Sequence, residues 1–199
     1  TALDAYILLV CLAPELDHRY QRLYAFLQDD ITQRRPTVNL VMNILGGSLN
    51  QRYQVWDRLK PSGPLRRHRI LDIVSDPNKP NLPMLSQALH VDERIVHFLL
   101  GDNEPDQRLI EFLDIGPFDK TTPLPDDVIT PIYQAMPNAP IVHMRGLQDM
   151  GQEETAATLC APYGIELIIF DAKKAADNSI SFDDAWQLSL REGYLRSAA

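Results

Sequence analysis

Pro, Gly and Asp residues divide the first hundred positions into short apolar segments. The longest of them, Ala5 to Ala13, is about half as long as a helix that crosses a bilayer. Leu3 to Ala13 is apolar almost all round, which predicts a fully buried helix that ends at Pro14. An amphipathic helix follows from Glu15 to Gln28. We expect its apolar side to lie in the core: Leu16, Tyr20, Leu23, Tyr24 and Leu27.

Capping residues mark two more helices. Thr37 is a favourable N-cap for a helix from Val38 to Leu45, and Gly46-Gly47 end that helix. The next helix is expected from about Leu49 to Leu59. Aromatic residues at helical spacing are interpreted as core residues rather than as a surface that stacks on nucleic-acid bases: Tyr20, Tyr24, Tyr53 and Trp56.

A turn-rich loop then separates two apolar segments. Leu65 to Val74 is either a strand or a short helix, and Asp76 to Asn81 is the loop. Leu82 to Val91 is short and apolar, and Asp92 caps a helix that ends at Gly101. This order fits a winged helix in which the loop is the wing. A plain small helical bundle stays open as the alternative.

Charge is distributed unevenly along the chain. Residues 1–108 contain 13 Lys/Arg and 13 Asp/Glu, whereas residues 109–199 contain 6 and 14 and so carry the whole net charge of −8. The first part could contact phosphates locally, but the second repels nucleic acid and anionic membranes. The fold class is therefore α+β in three parts. They are a mostly helical winged-helix-like domain (1–101), a linker or irregular segment (102–125) and a partial α/β domain (126–199).

The α/β part has the pattern of a nucleotide-binding fold. Ile141 to Met144 and Ile165 to Phe170 are expected strands, the second buried on both faces of a parallel sheet. Glu153 to Pro162 is an expected helix, and Ser181 caps another. The order predicts a degenerate P-loop-like βαβα unit with a right-handed crossover.

The loop between the first strand and its helix has half of a phosphate-binding motif. Gly146 and Gly151 have the spacing of G-x-x-x-x-G-K-[ST], but Gln152 and Glu153 stand where the motif has Lys and a hydroxyl. Glu154 adds a further carboxylate, and each close like-charge contact costs about 1–4 kcal/mol at surface dielectrics. We therefore predict no nucleotide, metal or catalytic residue in this segment.

Basic residues concentrate in one place. Arg66, Arg67 and Arg69, together with Arg34-Arg35, could contact phosphates or a protein partner. Because the net charge of the domain is zero, we interpret them as a solvated face and expect no nucleic-acid binding. His90 and His97 are too far apart along a helix to share a metal ion without other ligands.

Five segments resemble the N-terminal half of a group of bacterial AAA+ ATPases, in which a winged-helix region and a degenerate ATPase-like domain precede the active module. The segments are LLVCLAPELDHRYQRLYAFLQDDITQRRPTVNLVMNIL (Leu8 to Leu45), PLRRHRIL (Pro64 to Leu71), VDERIVHFLLG (Val91 to Gly101) and, less specifically, Gly146 to Gly151 and IELIIFDA (Ile165 to Ala172). Some members are similar to ATPases encoded beside phage-tail-like contractile injection particles. No position here matches the family's Walker A, Walker B or arginine-finger residues.

The resemblance implies a non-catalytic adaptor or scaffold that contacts protein partners or other subunits of an AAA+ ring. It also implies that the chain is part of a longer protein whose remaining part uses ATP and Mg. Cys11 and Cys160 lie in apolar runs and are expected to be buried free thiols, as in a reducing, cytoplasmic setting without membrane contact. The alternatives are a DNA-binding winged helix with a regulatory domain and a divergent nucleotide-binding enzyme.

Overall fold

A computed structural model describes residues 1–74, 81–116, 125–135, 142–145 and 151–198. The chain divides into two compact units, residues 1–104 and 105–199, which are described separately below. Within the described ranges, no helix is both long enough and apolar enough to cross a membrane.

The first unit begins with α1 (Ala2–Leu16), which continues past the proline that was expected to end it. Pro14 has no N–H, so the carbonyl of Val10 loses its usual helical donor. The Tyr24 hydroxyl donates to that carbonyl at 2.9 Å, and the Gln21 side chain donates to the Pro14 carbonyl at 3.1 Å. These two bonds from the next helix satisfy the backbone around the proline.

Two capped pairs of helices follow. Asp17 separates α1 from α2 (His18–Leu27) and caps the latter by accepting from the Arg19 N–H. Thr37 caps α3 (Val38–Leu45), as predicted, and Ser48 forms a capping box at the start of α4 (Leu49–Arg58). The buried side chains of the unit come mainly from α1, α3, α4 and the strands: Ile7, Cys11, Val38, Val41, Val55, Leu59, Leu71, Leu89 and Val91.

A small antiparallel sheet completes the first unit. The segment expected as strand or helix contains both, α5 (Pro64–Arg67) and β1 (Leu71–Val74). β1 pairs with β2 (Ala88–Val91), with Leu71 opposite Val91, and an isolated bridge joins Thr37 to Ala88 on the other side of β2. Asp92 caps α6 (Glu93–Leu99). This hairpin selects the winged helix over the plain bundle; most of the expected wing, residues 75–80, lies outside the described residues.

The second unit is organised around another strand pair. β3 (Leu113–Gly116) runs antiparallel to β4 (Leu167–Phe170), with Leu113 opposite Phe170 and Ile115 opposite Ile168. Its helices are α7 (Asp126–Ala135), α8 (Gln152–Cys160), α9 (Ala172–Ala176) and α10 (Phe182–Arg196). The core joins strand residues to α9 and α10: Leu109, Phe112, Leu113, Ala175, Ala185 and Leu188.

The expected parallel arrangement around β4 is wrong in the described part of this unit. β4 pairs antiparallel with β3, and its four residues are all half-buried rather than fully buried. Residues 142–144 of the first expected strand belong to no strand, and Ile141 lies outside the described residues. The structure therefore does not confirm the P-loop-like domain. β3 lies within the range assigned to the linker.

Candidate functional site

In the helix-turn-helix formed by α3 and α4, no Lys or Arg is among the exposed residues. In such motifs the second helix enters the DNA major groove and its N-terminal residues contact base edges. The exposed positions of α4, all of which the structure describes, are mainly apolar or amide side chains: Leu49, Asn50, Gln51, Tyr53, Gln54 and Asp57. Leu49 is 76% exposed and Tyr53 is 69% exposed, so the assignment of Tyr53 to the core is wrong.

The two arginines of α4 are turned away from this exposed side. Arg52 and Arg58 are each half-buried. The Arg58 Nε lies 3.4 Å from the Asp4 carboxylate, and its Nη2 donates to the Thr1 hydroxyl at 3.2 Å. The helix that would read DNA therefore offers no exposed cation to phosphate or to guanine.

The three arginines of the predicted contact patch do not form one exposed surface. Arg67, at the end of α5, is exposed, whereas Arg66 and Arg69 are half-buried. The Arg66 Nη1 donates to the Leu59 carbonyl at 3.4 Å, and Arg69 has a positive φ of 51°. Arg35, from the neighbouring basic pair, lies 3.4 Å from the Glu15 carboxylate.

The nucleotide-loop positions are only partly described. Gly146 lies outside the described residues. Gly151 has a φ of 88°, a left-handed conformation that favours glycine, and it immediately precedes α8. Gln152 and Glu153 begin that helix, and Glu153 and Glu154 place two carboxylates in its first turn. These carboxylates occupy the end of the helix dipole that would otherwise attract an anion.

α2 exposes a row of large apolar side chains beside its charged residues, which the sequence analysis did not predict. The four side chains expected in the core remain 43–53% exposed: Leu16, Tyr20, Leu23 and Leu27. Only Tyr24 of that set is buried. Phe26 is 82% exposed and Ile31, just after the helix, is 86% exposed. We call Tyr20, Leu23, Phe26 and Leu27 the α2 stripe.

Polar bonds explain why α2 turns its apolar side outward. Gln28 donates to the carbonyls of Gln33 and Arg35 at 3.0 Å and accepts from the Thr37 N–H at 2.9 Å. Tyr24 packs inward against α1, where burial and then the neighbouring Cys11 raise the pKa of its hydroxyl to about 12. The Gln28 amide and the Tyr24 hydroxyl therefore fix which side of α2 faces the interior. The spacing of the apolar residues alone does not show this orientation.

A groove of about 540 Å³ lies beside the C-terminal end of α2. Its described lining includes Leu27, Asp29, Asp30, Asn39 and Asn43, with no Lys or Arg. Two carboxylates in this described lining make it unfavourable for a phosphate group.

The cysteines and histidines occupy separate positions. Cys11 and Cys160 are free and buried, as predicted, and burial raises the pKa of each thiol. The His97 Nδ1 lies 2.9 Å from the Asp102 carboxylate. In the part of the chain that the structure covers, no group of three His, Cys, Asp or Glu side chains could hold a metal ion.

Comparison with known proteins identifies the first unit. Residues 1–113 match the family described as winged helix domain, variant, and this match covers more than half of the 199 residues. No curated protein and no solved structure matches the chain. The match agrees with the order of helices, the Thr37 bridge and the β1–β2 hairpin described above. The chain belongs to the variant winged helix domain family.

Proposed function

We propose that this chain is a non-catalytic docking segment of an AAA+ ATPase, in which the winged helix binds protein rather than DNA. The observation that carries the proposal is the contrast between two helices of the first unit. The exposed side of α4 has no basic side chain, whereas the α2 stripe exposes four large apolar side chains. Contiguous exposed apolar surface of this kind is typical of protein contacts.

The ATPase setting is supported by the resemblance of Leu8–Leu45, Pro64–Leu71 and Val91–Gly101 to the N-terminal half of such enzymes. In this proposal the segment itself does not hydrolyse ATP, since Gln152 and Glu153 replace the motif's lysine and hydroxyl. Protein partners or neighbouring ring subunits are its ligands. ATP and Mg act elsewhere in the parent chain, and the setting is the cytoplasm.

Isothermal titration with ATP·Mg tests the non-catalytic half of the proposal. We expect no heat of binding from the 199-residue chain. A matched variant, Gln152→Lys with Glu153→Thr, restores the motif's charge and hydroxyl. A micromolar dissociation constant for the unchanged chain would overturn the assignment, and it would support the divergent nucleotide-binding enzyme.

DNA binding is the second candidate, and one observation favours it. Asn50 and Gln54 are exposed on α4, and amide side chains can bind adenine in the major groove. Fluorescence anisotropy with labelled duplexes at low salt separates the two candidates. The docking proposal predicts a flat titration. The DNA proposal predicts salt-dependent binding that weakens in Arg66→Ala, Arg67→Ala and Arg69→Ala.

A further inference from the structure

We infer that the α2 stripe is the contact surface between two copies of this chain, which pair with their α2 helices antiparallel around a two-fold axis. The inference rests on the proposed docking role and names one partner for it.

The stripe is arranged almost symmetrically about its central residue. Leu23 lies three residues after Tyr20 and three or four residues before Phe26 and Leu27. These spacings place all four side chains on one side of an α-helix. In an antiparallel pair with Leu23 at the axis, Leu23 meets its own copy, and Tyr20 meets Phe26 or Leu27 of the other copy. A symmetric dimer interface requires this kind of self-complementarity.

The charges at the ends of α2 favour the antiparallel direction. Arg19 and Arg22 are exposed in the N-terminal half of the helix, and Asp29 and Asp30 follow its C-terminal end. Arg19 also pairs with Asp17 in its own chain, at 2.7 Å. An antiparallel pair brings the arginines of one copy toward the aspartates of the other. A parallel pair would place like charges side by side, which is unfavourable.

The exposed area agrees with a small symmetric interface. Leu16 and Ile31 flank α2 in sequence and are 53% and 86% exposed. Six large apolar side chains exposed to this degree amount to several hundred Å², compared with roughly 800 Å² per partner in a standard interface. The surface is therefore sufficient for one helix-to-helix contact and for a dimer of moderate affinity.

Sedimentation velocity of the whole chain from about 1 to 100 μM tests the inference, because a small interface is expected to give a weak to moderate affinity in this range. We expect a concentration-dependent shift from monomer to dimer. Leu23→Glu places a carboxylate from each copy at the axis and should raise the dimer dissociation constant more than about 100-fold. Circular dichroism should show an unchanged fold, since Leu23 is 45% exposed in the single chain.

Leu49→Glu is the matched control, because Leu49 is also an exposed helical leucine but lies on α4. It should leave the dissociation constant unchanged. A chain that stays monomeric throughout, or a dimer that Leu49→Glu weakens and Leu23→Glu does not, would overturn the inference. A chain that stays monomeric and does not bind DNA would overturn only the dimer and leave the proposed docking role unchanged.

Cysteine cross-linking tests the direction of the helices. Chains with Tyr20→Cys are mixed with chains that carry Leu27→Cys and are then oxidised. The antiparallel pair predicts a disulfide between the two different variants and none within either variant alone. A self-linked Tyr20→Cys dimer would instead show parallel helices and contradict the antiparallel arrangement. The native Cys11 and Cys160 are buried, so they provide a low background.

Discussion

The two units of the chain differ in what they bury. In residues 1–104 the interior is mainly aliphatic, with side chains such as Val41, Val55 and Leu59. Its buried charged residues are close in sequence, since the Asp92 carboxylate accepts from the Arg94 N–H at 3.1 Å. In residues 105–199 the interior also contains a charged pair, Arg191 and Asp106, whose atoms lie 2.6 Å apart and whose side chains are almost fully buried. The comparison teaches that the buried charges of the first unit have bonds to residues near them in sequence, whereas the second unit buries an ion pair whose members are 85 residues apart.

The largest effect is expected from breaking the charged pair. Arg191→Leu leaves the Asp106 carboxylate buried without its interior partner, which should lower the free energy of unfolding of the second unit by about 3–5 kcal/mol. Urea denaturation followed by Trp186 fluorescence, in a Trp56→Phe background, measures that unit alone. Arg108→Leu is the matched control, because Arg108 binds the same carboxylate from an exposed position. An equal loss in both variants would contradict the special role of the buried pair.

The next effect sharpens the contrast between the core and the α2 stripe. Leu59 is fully buried, so Leu59→Ala should cost about 2–5 kcal/mol, including the cavity that it creates. Leu23→Ala removes the same atoms from an exposed position and should cost less than about 1 kcal/mol in the monomer. Trp56 fluorescence during urea unfolding, in a Trp186→Phe background, reports both. Similar losses would mean that the stripe belongs to the core.

A smaller loss of stability is expected from removing the N-cap of α3. Thr37 accepts from the Leu40 N–H at 3.2 Å, and its removal in Thr37→Ala should cost about 1 kcal/mol. Thr37→Ser keeps the oxygen and should recover most of that loss. The urea midpoint of unfolding, followed by Trp56 fluorescence, measures the difference in stability between these variants. If the serine variant were as unstable as the alanine variant, the methyl packing of Thr37 rather than its cap would matter.

The mildest perturbation is acidification. Burial alone would raise the pKa of Asp106, but hydrogen bonds from Arg108 and the charges of Arg108 and Arg191 outweigh it and lower that pKa below its ordinary value. The stabilisation is therefore present above the unfolded pKa of about 3.9 and is lost as the pH falls below it. Trp186 fluorescence should show the second unit unfolding in that range. Asp106→Asn should reduce the pH dependence, and an unaltered profile would argue against this carboxylate.

Local signals predicted the first unit well. The caps at Thr37 and Asp92 and the apolar segments around the wing depend on residues close in sequence, and the structure confirms them. The prediction that Pro14 ends α1 is wrong because Tyr24, ten residues later, supplies the hydrogen-bond donor that the Val10 carbonyl lacks. The outward α2 stripe was missed for a related reason, since the bonds of Gln28 with a neighbouring loop decide which face is buried.

Long-range pairing limited the prediction of the second unit. β3 and β4 are more than fifty residues apart, and neither segment indicates an antiparallel partner. Arg191 and Asp106 are separated by 85 residues, and charged residues are normally expected at the surface. A buried apolar strand next to a Gly-x-x-x-x-Gly spacing therefore suggested a parallel nucleotide fold. Of that predicted fold, the described residues contain Gly151, the helix α8 that follows it, and β4, which pairs antiparallel with β3.

The central claim is that the winged helix contacts protein through α2 rather than DNA through α4. The most direct measurement is sedimentation velocity of the 199-residue chain with a fluorescent duplex at low salt, with protein and DNA monitored separately. We predict a concentration-dependent protein dimer and DNA that sediments at its own rate. A monomeric protein that carries the duplex with it, and releases it as salt increases, would contradict the account.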